Sequence, residues 1–430
     1  MKSLLRSFVI RLLFSASRIM LRRHNPTVVA ITGSVGKTAT KDAIAVVLEQ
    51  AYTVRKSEKS FNSEIGVPLT ILGLDTAWSS PWKWCLNLFK AYYRALFSKE
   101  YPEVLVLETG VDKPGDMKKI TTLIKPDVVV LTRLPDVPVH VENFQSPLAV
   151  VEEKLALVQA LRPEGTLVCN ADDEQINNAL SDISHHTITY GRYRSEVDLR
   201  ISQDAVLYYD KLPTGMEFSL MYREEKHTVV IQSVIGMQLA YIHTAAIAAG
   251  VALAVTPADA ITALRTHTPP PSRMRVLSGI KDSVLIDDTY NASPVAVESA
   301  LQTLNEMKYA RRKIAVLGDM MELGVYSIEQ HQRMGRLVGQ MCDVLLTVGV
   351  RSREIAKAAL EQGMPEKAIY QYDDAGRAGR ELQNLLQPGD VVLLKASQAI
   401  RMERIVEEVM QEPERADELL CRQSPEWKRR

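Results

Sequence analysis

Residues 27–41, TVVAITGSVGKTATK, constrain the fold more than any other stretch of the chain. A β-branched run, TVVAIT (27–32), enters the glycine turn Gly33-Ser34-Val35-Gly36, and a helical stretch follows from Lys37 to Glu49. A strand passed to a helix by so short a turn belongs to a βα unit, and such units build parallel sheets covered by helices. The same turn carries chemistry. Glycines let backbone N–H groups approach an anion, and the helix N-terminus adds positive potential. Lys37 is placed to neutralise the β and γ oxygens of a nucleotide, and Thr38 to ligate Mg²⁺. The two glycines are closer together than in GxxxxGK[ST], so a glycine turn with a chance GKT is the bland alternative. The strand before it and the helix after it favour nucleotide phosphate.

The alternation continues. VLVLE (104–108), DVVVLT (127–132) and TLVCN (166–170) read as further strands with helical segments between them. From about 196 to 233 the texture changes to alternating strands (VDLRIS, AVLYYD, MEFSLMY, HTVVIQS), expected to be antiparallel hairpins, and a helix-rich stretch runs from 238 to 264. THTPPPSR (266–273) marks the domain boundary, because three consecutive prolines cannot continue a helix. Beyond it VLIDD (284–288), KIAVLG (313–318), DVLLTVG (343–349) and DVVLLKA (390–396) begin a second βα series. The expected class is α/β: a central ATPase-type parallel-sheet domain (26–268) and a Rossmann-like domain (269–412), with a cleft between them where α/β enzymes bind ligands.

Outside these lie a cationic, apolar N-terminal helix (1–25) and a tail (413–430) that reads as solvated. Arg6, Arg11 and Arg18 interrupt the apolar run 3–21, and a central arginine costs roughly 2.5–3.5 kcal/mol on insertion scales, so the run does not read as a membrane span. Arg11, Arg18 and Arg22 share one helical stripe at about 100° per residue. A helix resting on an anionic membrane surface and a helix packed on its own protein both fit. In WSSPWKWCLNLFKAYYRALFSKEY (78–101), three of the four tryptophans are interleaved with Lys83, Lys90 and Arg94; a membrane interface and packing against the N-terminal helix both fit again. A net charge of 0 argues against a general nucleic-acid binder. Cys85, Cys169, Cys342 and Cys421, far apart and without a CxxC pair, read as reduced residues of a cytoplasmic protein.

TGSVGKT, FNSEIGVPLTIL (61–72), LVLETGVDKPGD (105–116), DDTYNASP (287–294) and LGDMMELG (317–324), in this order, resemble the Mur ligase family over roughly residues 26–410. The resemblance implies ATP-dependent amide formation with Mg²⁺: a carboxylate takes the γ-phosphoryl group, and an amine displaces phosphate from the acyl phosphate. Its nearest branch implies a nucleotide-sugar tripeptide as the acid and D-Ala-D-Ala as the amine, in peptidoglycan precursor synthesis. Another acid–amine pair, or a non-catalytic nucleotide-binding partner, remains as an alternative.

The family pattern also implies roles. Glu108, ending a strand near the phosphate loop, and His140 would be metal ligands with Thr38. Lys154, in VVEEKLALV, would be carbamoylated by CO₂ and hold the second Mg²⁺; taken alone it reads as a surface lysine beside two glutamates. Lys37, His140 and Lys154 form the implied catalytic set. Asn62 and Glu64 would face ATP and substrate, with helix capping by Asn62 or Ser63 as the competing reading. For Asn170 and Asp172, nucleotide contact and capping both fit. Arg273 would contact ATP phosphate as the second domain closes. Asp288, Tyr290 and Asn291 would meet ribose, metal-linked groups or the incoming amine, and Asp319 and Glu322, with His331, would line the same cleft.

Three departures stand out. The adenine segment GxHNxxNAxAA reads here GMQLAYIHTAA, with Gln238 in place of histidine, Leu239 and Ile242 in place of the asparagines, and His243 one position beyond the second of them. KGSR reads KASQ (395–398), removing a glycine and a cation near the amine site, for which Lys395 or Arg401 would have to compensate. Only about 25 residues precede Pro26, too few for the family's UDP-sugar-binding front domain, so the sugar end is expected to be bound differently, or the substrate to lack it.

Overall fold

The computed structural model describes residues 2–57, 60–77, 80–180 and 184–429, so Trp78 of the aromatic stretch lies outside the described residues. In the first half of the chain, β1 (Thr27–Thr32), β2 (Val54–Lys56), β3 (Val104–Glu108), β4 (Val128–Leu131), β5 (Thr166–Asn170) and β6 (His186–Gly191) lie parallel. β7 (Leu199–Tyr209), β8 (Leu212–Tyr222) and β9 (Glu225–Gln232) extend the sheet as an antiparallel meander. The order is β2-β3-β1-β4-β5-β6-β7-β8-β9. β1 has β3 on one side and β4 on the other, so the strand order reverses at its carboxyl end, where the Gly33–Gly36 turn lies. Open α/β sheets bind ligands at such switch points. β3 and β4 are buried along their whole length, which is why their sequences are continuous apolar runs without alternation.

The second sheet contains β10 (Arg275–Gly279), β11 (Ser283–Asp287), β12 (Arg312–Gly318), β13 (Val344–Val348), β14 (Ile369–Tyr372) and β15 (Asp390–Lys395), in the order β10-β11-β15-β12-β13-β14. All pairs are parallel except β10 with β11. Since β11, β15 and β12 are neighbours, the loops at their carboxyl ends, DTYNAS, ASQ and DMMEL, emerge side by side. This adjacency, invisible in the linear order, brings the C-terminal motifs together.

The helix Lys2–His24 packs on the helices Gly66–Leu72 and Pro81–Phe97. Leu13, Ala16 and Met20 are buried, and Arg11, Arg18 and Arg22 are exposed. The stripe of arginines therefore faces solvent, and the apolar face joins the chain's own core. No helix among the described residues is long and apolar enough to cross a membrane.

The end of the chain departs from expectation. Residues 413–429 are not a solvated tail: Ala416, Leu419, Leu420 and Cys421 are buried against the second sheet. Arg422 reaches back to donate to the Glu403 carboxylate, at 2.9 Å, and to the carbonyls of Thr289 and Tyr290. The polar-looking sequence hides four apolar anchors among charges that point outward. Arg422→Ala is expected to lower stability by about 3 kcal/mol, because it strips a buried ion pair from Glu403, which keeps Arg401. Chemical denaturation checks this; an unchanged transition would return the segment to a solvated tail.

Candidate active site

The phosphate loop is built by backbone geometry. Gly33 has φ +143°, and a β-carbon there would lie 2.1 Å from Thr132 Oγ1; Gly36 caps the following helix at φ +83°. Neither position suits an L side chain. Ser34 N–H donates to Arg133 O at 2.7 Å, and Thr132 Oγ1 donates to Val35 O at 2.7 Å, so the β4 end braces the loop. Lys37 Nζ curls back to Gly33 O at 2.9 Å. Burial pushes its ammonium below the ordinary lysine range; Glu108 and Asp112 oppose this, and Arg273 adds to it. The groups named span both sheets, so one electrostatic centre joins β1, β3 and the start of the second domain.

Glu108 ends β3 with 2% of its surface exposed. Its Oε1 accepts from Asn62 Nδ2 at 3.1 Å, while Oε2 is buried without a hydrogen-bond partner. A buried carboxylate oxygen left unpaired is costly unless something else meets it, and a cation answers that need. Asn62 thus joins the site by orienting Glu108. Its neighbour Ser63 takes the capping role, accepting from Gly66 N at 3.3 Å. Glu64 points elsewhere in this structure: its carboxylate pairs with Arg6 at 3.2 Å and Lys119 at 3.1 Å, which ties the N-terminal helix to the loop.

Lys154 is buried, 2% exposed, on the helix Pro147–Gln159. The surface reading of this lysine fails. Burial first, and the Lys37 charge second, bring its amine down to about 7, against the pull of Asp112 and Glu153. Glu153 is itself engaged, accepting from Gly115 N at 2.9 Å and Met117 N at 2.8 Å. A lysine near neutrality presents a substantial fraction of free amine at pH 7.

His140 sits at φ 69° between the two halves of the chain. Its Nδ1 lies 2.8 Å from Glu322 Oε2, and its Nε2 lies 3.7 Å from Asp112 Oδ1. The His140 contact holds the Glu322 carboxyl below its usual range. Asp112 was not singled out from the sequence, although its motif was; it faces His140 and acts on both Lys37 and Lys154. Thr38 Oγ1, Ser60 Oγ and Tyr290 OH form a chain of hydroxyls, at 3.0 and 3.1 Å, that crosses the cleft. Ser60 also escaped the sequence reading, since a lone loop serine carries no signal.

From the second domain, Arg273 stacks over the Tyr290 ring at 3.9 Å and leaves its buried Nε without a partner. Asp288 and Lys395 are spent on each other: Nζ lies 2.6 Å from Asp288 Oδ2 and also faces Asn291 O at 2.8 Å and Asp288 O at 3.4 Å. Three acceptors take the three ammonium protons, so Lys395 fixes the loop after β11 and offers no free cation to a substrate. In this structure Lys395 and Asp288, expected at the substrate and the nucleotide, are paired with each other. Arg401 does not supply the cation either, because Glu403 Oε1 holds it at 2.5 Å. The Asn291 side chain belongs to an exposed residue of this loop.

Other motif residues make hydrogen bonds within the fold. Asn170 Oδ1 accepts from Asp172 N at 3.0 Å, and Asp172 receives Tyr241 OH at 2.7 Å and the backbone of residues 192–194; capping describes both. Asp319 accepts from Ser352 N at 2.8 Å, and His331 is a buried neutral imidazole bridging Met320 N and Ser327 O. His243 is buried in its helix, its Nδ1 bound to Leu239 O, with its basicity pushed down to about 3 by burial, so it does not face a nucleotide. Gln238 accepts from Ser299 Oγ at 2.6 Å and straps the two halves together. Among the described residues no three His, Cys, Asp or Glu side chains converge on a metal site. Of the expected metal ligands Thr38, Glu108, His140 and Lys154, only Glu108 and His140 are residues of this kind.

A phosphate loop at the switch point of one sheet, met by an arginine and a tyrosine from a second α/β domain, defines a two-domain ligase of the ATP-binding kind. The chain belongs to the Mur ligase family. The Mur ligase middle domain matches residues 31–81 and 88–250, and the Mur ligase, glutamate ligase domain matches residues 272–398. It is 27% identical over 400 residues to UDP-N-acetylmuramoyl-tripeptide–D-alanyl-D-alanine ligase of Bacillus subtilis (strain 168), covering 92% of this chain and 79% of that one. The Mycobacterium leprae (strain TN) protein of the same name is 29% identical over 400 residues, covering 87% and 71%. In fold the chain resembles MurF ligase of Thermotoga maritima in complex with ADP, with TM-score 0.74, 24% identity and coverage of 94% and 84%. It also resembles a pseudomurein peptide ligase type C from Methanothermus fervidus, with TM-score 0.64, 18% identity and coverage of 90% and 79%.

Proposed function

We propose that this chain is a cytoplasmic, ADP-forming acid–amine ligase that joins D-Ala-D-Ala to the peptide carboxylate of UDP-MurNAc-tripeptide. The observation that carries the reading is the grouping of Lys37, the unpaired Glu108 Oε2 and a buried Lys154 of depressed basicity around one phosphate loop. ATP supplies the phosphoryl group that activates the carboxylate. The backbone N–H groups of Val35 to Thr38 hold its phosphates, and Lys37 neutralises the charge that shifts as the group transfers. Arg273 brings a second cation from the other domain, so the full charge complement exists only when the two domains meet. Tyr290 orients Arg273 from below and links through Ser60 to Thr38.

Mg²⁺ fits the donor set of Thr38, Glu108, His140 and a carbamate on Lys154. The free amine of Lys154 attacks CO₂: an N–C bond forms, one C=O electron pair moves onto oxygen, and the amine proton leaves to solvent. The product is an anion beside Lys37, which favours it.

Incubation with ATP, UDP-MurNAc-tripeptide and D-Ala-D-Ala, followed by mass spectrometry, tests the reading: one ADP, one phosphate and one pentapeptide product are expected in equal amounts. A second reading, a ligase of this family for a different amine, draws on Lys395 and Arg401, both neutralised by carboxylates, and on Gln398 in place of an arginine. Turnover with another amine and none with D-Ala-D-Ala would select it.

A further inference from the structure

The helix Pro81–Phe97 has two apolar faces, and only one is used. Ala91 and Ala95 are buried, and Trp84, Leu88 and Tyr92 pack beside them against the first domain. On the opposite face Trp82, Leu86, Phe89, Tyr93 and Phe97 are exposed, at 72%, 42%, 71%, 58% and 63%. Their spacing of four, three, four and four residues makes one continuous stripe along the helix. Phe89 stacks with Tyr93, and Tyr93 with Phe97, so the stripe is an ordered aromatic surface. Leu5 and Phe8 of the adjoining Lys2–His24 helix are also exposed, at 59% and 57%. An exposed apolar surface of this extent marks a contact site.

Charge says what covers it. The whole chain has net charge 0, yet these two helices carry nine Lys and Arg and no Asp or Glu. Lys83 and Lys90 are exposed, seven residues apart, along one edge of the aromatic stripe, and Arg11 is exposed one turn beyond Phe8. Aromatic rings for the headgroup boundary, edged by cations and free of anions, match an anionic lipid surface. A second copy of this chain would bring like charge against like, since an isologous contact sets the same basic edge against itself.

We propose that the outer face of Pro81–Phe97, with Leu5, Phe8 and Arg11, docks this protein peripherally on an anionic membrane leaflet. The Arg6–Glu64 pair links this face to the loop that carries Asn62, the residue that donates to Glu108.

Flotation of the full chain with vesicles tests this. It is expected to float with phosphatidylcholine vesicles containing phosphatidylglycerol, and not with phosphatidylcholine alone. Lys83→Ala/Lys90→Ala is expected to lower partitioning by roughly thirtyfold, about fivefold per cation. Phe89→Ser/Tyr93→Ser is expected to lower it by at least about tenfold, with ATP hydrolysis unchanged in both variants. A full chain that stays unbound with both vesicle types overturns the proposal. So does binding that the lysine pair does not affect, or a concentration-dependent dimer that Phe89→Ser/Tyr93→Ser dissociates in the absence of lipid binding.

Discussion

Lys37→Ala is expected to lower turnover by about a thousandfold while leaving stability within about 0.5 kcal/mol of the parent. The two effects separate because of where the charge sits. The ammonium is already desolvated, and its hydrogen bond goes to Gly33 O in its own loop. It is therefore a small net cost to the fold and a large gain to any phosphoryl group that enters. Removing it deletes preorganised positive charge at the position where negative charge moves, and no other cation is held in the loop. Single-turnover kinetics beside a denaturation curve would measure both quantities; near-normal product formation by the folded variant would falsify the phosphate-loop assignment.

The second large effect concerns Lys154, whose replacement by alanine is expected to reduce activity at least about a hundredfold, with partial recovery in small carboxylates that occupy the vacated space. The pH behaviour has a definite sign. In the unfolded chain a lysine titrates near 10.4, roughly three units above the value of about 7 in the folded protein. Between those limits the unfolded state binds the extra proton, so this group makes stability rise with pH from about 7 upward; below 7 its burial penalty is fully present. Activity is expected to follow the free amine, since only that form reacts with CO₂, falling below about pH 7 when bicarbonate is limiting. Carbon-13 bicarbonate should yield a carbamate resonance in the parent that is absent in Lys154→Ala. A rate indifferent to bicarbonate, to pH across this range and to Lys154→Ala would leave the residue as a packed lysine only.

The strand–turn–helix at residues 27–48 was legible because three independent signals coincide there: a β-branched run, glycines at positions that need positive φ, and a helical pattern after them. The inner parallel strands were legible for the related reason that burial on both faces leaves an unbroken apolar run. β2, at three residues, and β14, IYQY, gave no such signal because they lie at sheet edges, where pairing on one side suffices. The fate of individual polar residues was not legible. Glu64, Asp288, Asp319 and Lys395 sit in motif positions, yet each is committed to a neighbour that lies far away in sequence, from Arg6 to Ser352. Conversely, Asp112 and Ser60 gain their places only because the cleft brings β3, β11 and the phosphate loop together. Sequence spacing gives the backbone that presents a side chain, but which partner claims it depends on tertiary proximity.

The C-terminal segment illustrates the same point from the opposite direction. Residues 413–429 look hydrophilic because most of their surface is, and the few buried side chains are too sparse for a periodicity to emerge. Their folding back places Arg422 under the Tyr290 carbonyl, so the loop that carries Tyr290 is held from both sides, by Lys395 and by Arg422. That rigid support explains how a tyrosine on a loop can keep Arg273 stacked toward the phosphate site.

The central claim is that a carboxylate oxygen attacks the γ-phosphorus and leaves with the phosphate when the amine arrives. Tripeptide substrate labelled with oxygen-18 in the reacting carboxylate measures this directly. One labelled oxygen is expected in each phosphate released, with one retained in the new amide carbonyl. Unlabelled phosphate accompanying the amide product would contradict the account, because the carboxylate would then have been activated by another route.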